Sequence, residues 1–300
     1  MAETGAARVV EVCARAKINL CLHVLGRRSD GYHTLESVVT FTELGDRLTV
    51  RPAPEISLTI SGPFAAAVPT GETNLAFKAA RLLAASAAPG RGAALALEKN
   101  LPVAAGIGGG SADAAAALRA LIELWDLDIA AADLKAHALD LGADVPVCLA
   151  GGTVLVGGIG DRVAPLPPLP GLPIVLINPG IPLATAAVFQ ALGGRFGRSR
   201  KVFATIRTAD DLLAALGACD NDLTAPARAL VPGIDSVFEF LSACPGVRLA
   251  RMSGSGATCF ALFDETAAAE AAAGDARRRQ PGWWAVATRL APARAGTYAC

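Results

Sequence analysis

Between positions 101 and 113 the chain reads Leu-Pro-Val-Ala-Ala-Gly-Ile-Gly-Gly-Gly-Ser-Ala-Asp, with glycines at 106, 108, 109 and 110. Lacking Cβ atoms, these positions can turn sharply and bring backbone N–H groups against a ligand. Residues 114–125 contain neither Gly nor Pro and are rich in Ala and Leu, which predicts a helix. Its first turn would present free N–H groups and the positive end of the helix dipole at residues 110–113. A glycine turn feeding a helix start is an anion site, most naturally for phosphates. A tight packing turn, with Ser111 as N-cap, is the plainer alternative. The stretch is not a P-loop, because no Lys precedes Ser111 after the last glycine. Nor is it the dinucleotide-binding pattern, whose third glycine is replaced by Ser111.

Composition narrows the function classes. Three hundred residues allow one large or two moderate domains. At 53% hydrophobic and 18% charged, the chain can build a sizeable core. With only 5% aromatics, that core must be mostly Ala, Val and Leu. A formal net charge of zero argues against a general nucleic-acid binder, which carries a basic face. The seven cysteines (13, 21, 148, 219, 244, 259 and 300) are odd in number and contain no Cys-x-x-Cys pair. Reduced thiols of a cytoplasmic protein fit them better than a disulfide framework or a zinc site. Glu3, Arg8 and Glu11 interrupt the N-terminus, so no secretory leader is expected, and no apolar run is long enough to span a membrane.

Hydrophobic patterning predicts strands at 9–13, 19–25, 35–41, 46–51, 56–60, 93–98, 145–149, 152–156, 174–177, 247–250, 259–263 and 284–288. Helices are predicted at 74–88, 131–141, 184–193, 209–216, 237–244 and 265–279, beside the one after the glycine loop. Strands and helices mix without strict alternation, which favours an α+β fold over a doubly wound parallel sheet. The proline cluster at 165–173 is a natural connector.

Three further stretches can carry chemistry. Strand alternation puts Lys17 and Asn19 on one face, where a cation and an amide could address a phosphate or carboxylate; a solvated edge strand would also show them. Asp144 follows a glycine that closes a helix. It could accept a hydroxyl proton, with Lys17 paired to it, or simply brace the turn. Tyr32 and His33 adjoin on a loop and could stack on and hydrogen-bond a ring, or be partly buried. The basic stretch 194–201, including Arg198, is a solvated loop or a phosphate attractor. His23 and His137 read as packing residues, and no histidine spacing suggests a metal site.

Taken in order, these stretches resemble the GHMP kinase superfamily of small-molecule kinases, over nearly the whole chain. Residues 14–20 resemble its first motif, 102–113 its ATP phosphate loop, 142–146 the stretch with its catalytic aspartate, and 252–258 its third, glycine-rich motif. Residues 30–33 resemble the branch whose substrate is a cytidine-diphosphate-linked methylerythritol in isoprenoid precursor synthesis. The resemblance implies a two-domain α+β fold: residues 1–160 like ribosomal protein S5 domain 2, and 161–300 ferredoxin-like. It implies ATP and Mg²⁺ as cofactors, a small-molecule partner only, and a cytoplasmic monomer or weak homodimer. By residue, Asp144 would take the substrate hydroxyl proton and Lys17 would hold charge at the reacting centre. Pro102, Gly106, Gly108, Gly109, Gly110 and Ser111 would wrap ATP, with Asn74 and Lys99 as further nucleotide contacts. Asn19 would orient the substrate, Tyr32 and Phe189 would stack on the cytosine, His33 would hydrogen-bond it, and Thr185 would lie on the substrate side. Ala112 stands where relatives often have a second serine. No dedicated magnesium-binding Glu is implied; Ser111 and Asp144 are the available oxygens. Enzymes for mevalonate- or homoserine-type substrates would keep the glycine loop without needing Tyr32, His33 and Phe189. A non-catalytic nucleotide sensor would not need Lys17 and Asp144 together.

Overall fold

The computed structural model describes residues 8–199 and 206–291. It opens with a long hairpin, β1 (Val10–Arg27) and β2 (His33–Ala53), paired from Val10↔Val50 to Arg27↔His33. The sequence predicts four short strands here. They merge because buried polar residues between them are bonded where they stand, the Thr42 hydroxyl to the Leu44 carbonyl and the Asp46 carboxylate to the N–H of Asn100 just past β4. The hairpin turns at Gly31 (φ +90°), where the Tyr32 N–H donates to Asp30 Oδ1 over 3.2 Å. Three register shifts, at 15/17, 19/21 and 24/26, are bulges that re-aim the side chains of β1.

Around β2 the sheet grows in both directions. β1 lies along one edge, while β4 (Gly92–Glu98) and β5 (Val154–Gly158) share the other, at opposite ends. β3 (Ser57–Ser61) and β6 (Arg162–Pro165) complete the order β3-β4-β2-β5-β6. One face is covered by α1 (Leu75–Ala87), α2 (Gly109–Trp125), α3 (Ala131–Leu141) and α4 (Val145–Ala150). Ala112 and Ala114 to Ala117 on α2 are buried, so that helix lies close against Leu48, Val50 and Leu97. Methyl side chains leave little volume between a helix and its sheet, which compensates for the scarcity of aromatics.

The second sheet follows a proline-rich connector. β7 (Pro173–Asn178), α5 (Thr185–Ala191), α6 (Ala209–Gly217), α7 (Thr224–Leu230) and α8 (Gly233–Ala243) precede the hairpin of β8 (Val247–Met252) and β9 (Cys259–Phe263). Then come α9 (Thr266–Arg279) and β10 (Trp284–Arg289). The order β10-β7-β9-β8 is wholly antiparallel, the 4-1-3-2 arrangement of a ferredoxin-like sheet. The first sheet closes at Pro165, so β6 belongs with it although it lies past residue 160. A third apolar cluster joins the halves, with Ile18, Leu20 and Ile107 packed with Ile174, Phe260 and Leu262.

Several elements differ from expectation. Residues 145–149 form helix α4, not a strand. A short apolar run does not declare its period, and here Pro146 at the helix start and Gly151 past its end decide for helix. Helix α2 begins at Gly109, five residues before the predicted start, so the glycines themselves make its first turn. β6, α7 and a 3₁₀ turn at Ala65–Ala67 carry no strong periodicity and were not predicted. Cys21, Cys148, Cys219, Cys244 and Cys259 are free and buried, as expected of packing thiols. Cys13 is disulfide-bonded, against that expectation: an odd count forbids complete pairing, not a single bond. Among the described residues no helix is long and apolar enough to cross a membrane. Arg200 and Lys201 of the basic stretch lie outside the described residues.

Candidate active site

A cavity of 410 Å³ opens between the two sheets. β1, the glycine loop, the start of α4, the start of α5 and the β8–β9 turn all reach it. Lys17 and Asn19 enter from β1, on one face as alternation requires. The Lys17 Nζ donates to Asn19 Oδ1 over 3.0 Å and lies 3.0 Å from Asp144 Oδ2. The Asn19 Nδ2 donates to Ser37 Oγ over 2.7 Å, and that hydroxyl donates to the Cys21 carbonyl over 2.6 Å. This relay fixes which end of the amide faces the lysine. In this arrangement Asn19 orients Lys17 and also lines the cavity itself.

Asp144 occupies the N-cap position of α4 but makes no side-chain cap hydrogen bond. Its carboxylate is therefore not consumed by capping the turn. The side chain is 47% exposed to the cavity while that of Lys17 is 7% exposed. A buried cation thus meets a half-open carboxylate at the cleft.

The glycine loop passes directly over Lys17, whose N–H donates to the Ile107 carbonyl over 2.9 Å. Gly108 (φ +66°) is the cap of α2, and a Cβ there would lie 3.0 Å from Lys17 Cε. Gly106 (φ +74°) is equally constrained, since a Cβ would collide with the Gly256 carbonyl. Gly109, Gly110 and Ser111 line the cavity as the first three residues of α2. Their N–H groups have no partner within the helix, so an anion in the cleft would be met by amides and a positive dipole end. Ser111 sits inside the first turn, so the N-cap reading does not hold for it.

A smaller groove of 150 Å³ continues past the loop, lined among others by Asn74, Lys99, Pro102 and Asp113. Two of these side chains are already committed. Asn74 caps α1, accepting from the N–H groups of Ala76 (2.9 Å) and Phe77 (3.2 Å) and donating to the Pro69 carbonyl (2.9 Å). Lys99 is buried with its ammonium 2.5 Å from Asp46 Oδ2 and 2.6 Å from Asp113 Oδ2. Burial opposes the charge on Lys99, but its two acidic neighbours, Asp113 and then Asp46, outweigh it and hold its pKa up. Asp46 also accepts from the N–H groups of Asn100 (2.6 Å) and Leu101 (2.8 Å), anchoring the strand end that leads into the loop. Burial pushes the Asp113 carboxyl up to about 8.

On the substrate side, Thr185 and Phe189 line the cavity from α5, and the hydroxyls of Thr185 and Ser255 are 2.9 Å apart. His33 stacks on Phe189, with ring centroids 5.0 Å apart and planes at 28°. Burial, then Arg27, lowers the pKa of His33, favouring the neutral ring. Tyr32 is 62% exposed at the hairpin turn and lines neither cavity. Phe196 approaches His33 from the basic stretch at 6.4 Å, and the Ser199 hydroxyl donates to Glu36 over 2.8 Å. That stretch therefore folds back over the hairpin through its apolar and neutral residues.

The third glycine-rich motif braces the loop. Ser253 Oγ accepts from the Asn19 N–H (3.1 Å) and donates to the Gly106 carbonyl (3.2 Å), while Thr258 Oγ1 donates to the Ala105 carbonyl (2.5 Å). These bracing residues, with Ser37, Asp46 and Asp113, were not singled out from the sequence. Ser253, Thr258 and Asp113 lie inside motifs that were, but Ser37 and Asp46 show no local signal.

Residues 74–152 match the GHMP kinases N terminal domain, and residues 202–280 match the GHMP kinases C terminal. The chain is 49% identical to the 4-diphosphocytidyl-2-C-methyl-D-erythritol kinase of Paramagnetospirillum magneticum, over 92% of this chain and 97% of that protein. It is 50% identical to the kinase of the same name from Cereibacter sphaeroides, over 94% of this chain and 100% of that protein. A crystal structure of 4-(cytidine 5'-diphospho)-2C-methyl-D-erythritol kinase superposes with a TM-score of 0.75 at 37% identity, covering 94% of this chain and 100% of that one.

Proposed function

The chain belongs to the GHMP kinases, in the group named for 4-diphosphocytidyl-2-C-methyl-D-erythritol, and from that membership we propose the reaction it carries out. It transfers the γ-phosphoryl group of ATP to the 2-hydroxyl of 4-diphosphocytidyl-2-C-methyl-D-erythritol, a step of non-mevalonate isoprenoid precursor synthesis. The observation that carries the reading is the Lys17–Asp144 pair, 3.0 Å apart and facing the free amides of the α2 start across one cavity. Phosphoryl transfer asks for positioning and charge neutralisation more than covalent chemistry.

In this reading Asp144 accepts the proton of the substrate hydroxyl as its oxygen attacks in line, and no phosphoenzyme forms. Lys17 holds Asp144 in place and places positive charge beside the transferring group. The amides of Gly109, Gly110 and Ser111 bind the phosphate oxygens. The nucleotide base lies in the groove beside Pro102, where Asn74 and Lys99 act as builders of the walls, not as ligands. The cytosine is received at His33 and Phe189, with Tyr32 closing from the hairpin turn. The residues present fit Mg²⁺: Ser111 and Asp144 line the cleft and would hold it through hard oxygens. When bound, the ion neutralises charge on the phosphates.

An assay of ADP release with Mg-ATP tests the reading, with mevalonate and homoserine as controls. Release with the cytidylyl substrate alone is expected. Release with a control would discard the cytosine site at His33 and Phe189. Silence with all three, in a chain that still binds ATP, would leave a sensor.

A further inference from the structure

Cys21, His23 and Cys219 come together on the side of β1 turned away from the cleft. Leu22 lines the cavity, so alternation sends its two neighbours to the opposite face. There they meet the segment that follows α6, which runs beside β1 as a parallel bridge between Leu22 and Asn221. The Leu22 N–H donates to the Asp220 carbonyl over 3.0 Å, and the Asp222 N–H to the Leu22 carbonyl over 2.9 Å. The two thiol sulfurs and a ring nitrogen of His23 all lie within 4.8 Å of one another. All three residues are at least nine-tenths buried, with 2%, 5% and 2% exposure for Cys21, His23 and Cys219.

The surroundings match this donor set. His23 Nδ1 faces Asp222 Oδ1 at 3.6 Å, while His23 Nε2 is buried without a hydrogen-bond partner. A carboxylate behind one ring nitrogen and a bare second nitrogen is the outer-shell pattern of metal-binding imidazoles. Thiols bind a cation as thiolates, so binding would release their protons. Two thiolates would neutralise a dication, and the nearby Arg251 is fastened to the Leu20 and Leu216 carbonyls and faces Asp220 at 4.0 Å.

We propose that Cys21, His23 and Cys219 form a site for a thiophilic divalent cation, zinc, fastening β1 of the first sheet to the segment between α6 and α7. Two sulfurs and one imidazole nitrogen are zinc donors, and three protein ligands leave one position of a tetrahedral ion for water. This site is separate from the cleft and from any magnesium carried by a nucleotide. No spacing along the chain announces it, because Cys21 and His23 are far from Cys219.

The test is a cobalt(II) titration of the full chain, reduced and stripped of metal. One equivalent is expected to give the thiolate-to-cobalt and tetrahedral d–d absorption bands, which zinc then displaces. Cys219→Ser should abolish the bands and Cys244→Ser should leave them. Asp222→Asn keeps all three ligands and should weaken zinc binding by roughly 10–100-fold, the usual cost of losing an outer-shell partner. Absence of the bands in the folded, reduced chain would overturn the site, as would bands that persist in Cys219→Ser. A Cys21–Cys219 disulfide formed in air by a chain that takes up no cobalt would overturn it too, and make the pair a redox couple.

Discussion

The proposed role of Asp144 as a base rests on what leaves its carboxylate available. The α4 turn does not use its carboxylate, and Lys17 faces it from a position fixed by Asn19 and Ser37. Asp144→Asn is expected to lower kcat by about 10²–10⁴-fold, the usual contribution of a general base, with ATP affinity nearly unchanged. Steady-state ADP release and a nucleotide titration measure the two, and near-normal turnover would remove Asp144 from the chemistry. Phe189→Ala should instead act on binding. Stacking on a base is worth ~1–3 kcal/mol, so KM for the cytidylyl substrate should rise about 5- to 150-fold with kcat little changed. Lys17, Asn19 and Asp144 were legible because polar residues in apolar runs stand out. Ser37 was not, since a serine inside a strand looks ordinary until its partners are known.

At the scale of elements, the glycine loop was legible because glycine reports backbone conformation directly. Gly106 and Gly108 hold positive φ, and the helix follows at once. The run 145–149 was not legible, because five apolar residues fit a strand or a helix until the flanking turns are known. Asn74 shows how a residue can be found for one reason and serve another. It stands at the groove, but its side chain caps α1, whose first residue Leu75 lines both cavities. Asn74→Ala should cost about 0.5–2 kcal/mol of stability, read by urea unfolding. It should also raise KM for ATP more than it lowers kcat, because the start of α1 would fray beside the nucleotide. A variant with full stability and weakened ATP binding would instead make Asn74 a direct ligand.

For the whole molecule, most strands and helices follow from hydrophobic patterning and the two-domain division from the family resemblance, but the strand order and the junction of the two sheets do not. Ser253 and Thr258 of the second half hold the loop of the first through carbonyls, and no sequence spacing encodes such bonds. The Asp46–Lys99–Asp113 cluster is the same kind of feature, a buried network assembled from three separate segments. It also gives the molecule a pH signature. Asp113 has an ordinary value of 3.8 and is pushed up to about 8 by burial. Between those values the folded chain holds a proton that the unfolded chain has lost. Stability from this group is thus fully present below the unfolded value and is lost as pH rises through about 8. Asp113→Asn keeps the shape but has no proton to lose. The stability of the wild type relative to this variant should therefore fall steadily from pH 5 to pH 8.5 in urea unfolding. A relative stability that grows with pH would mean the opposite balance: Asp113 would be ionised in the folded state, and its attraction to Lys99 would exceed the cost of burying both charges.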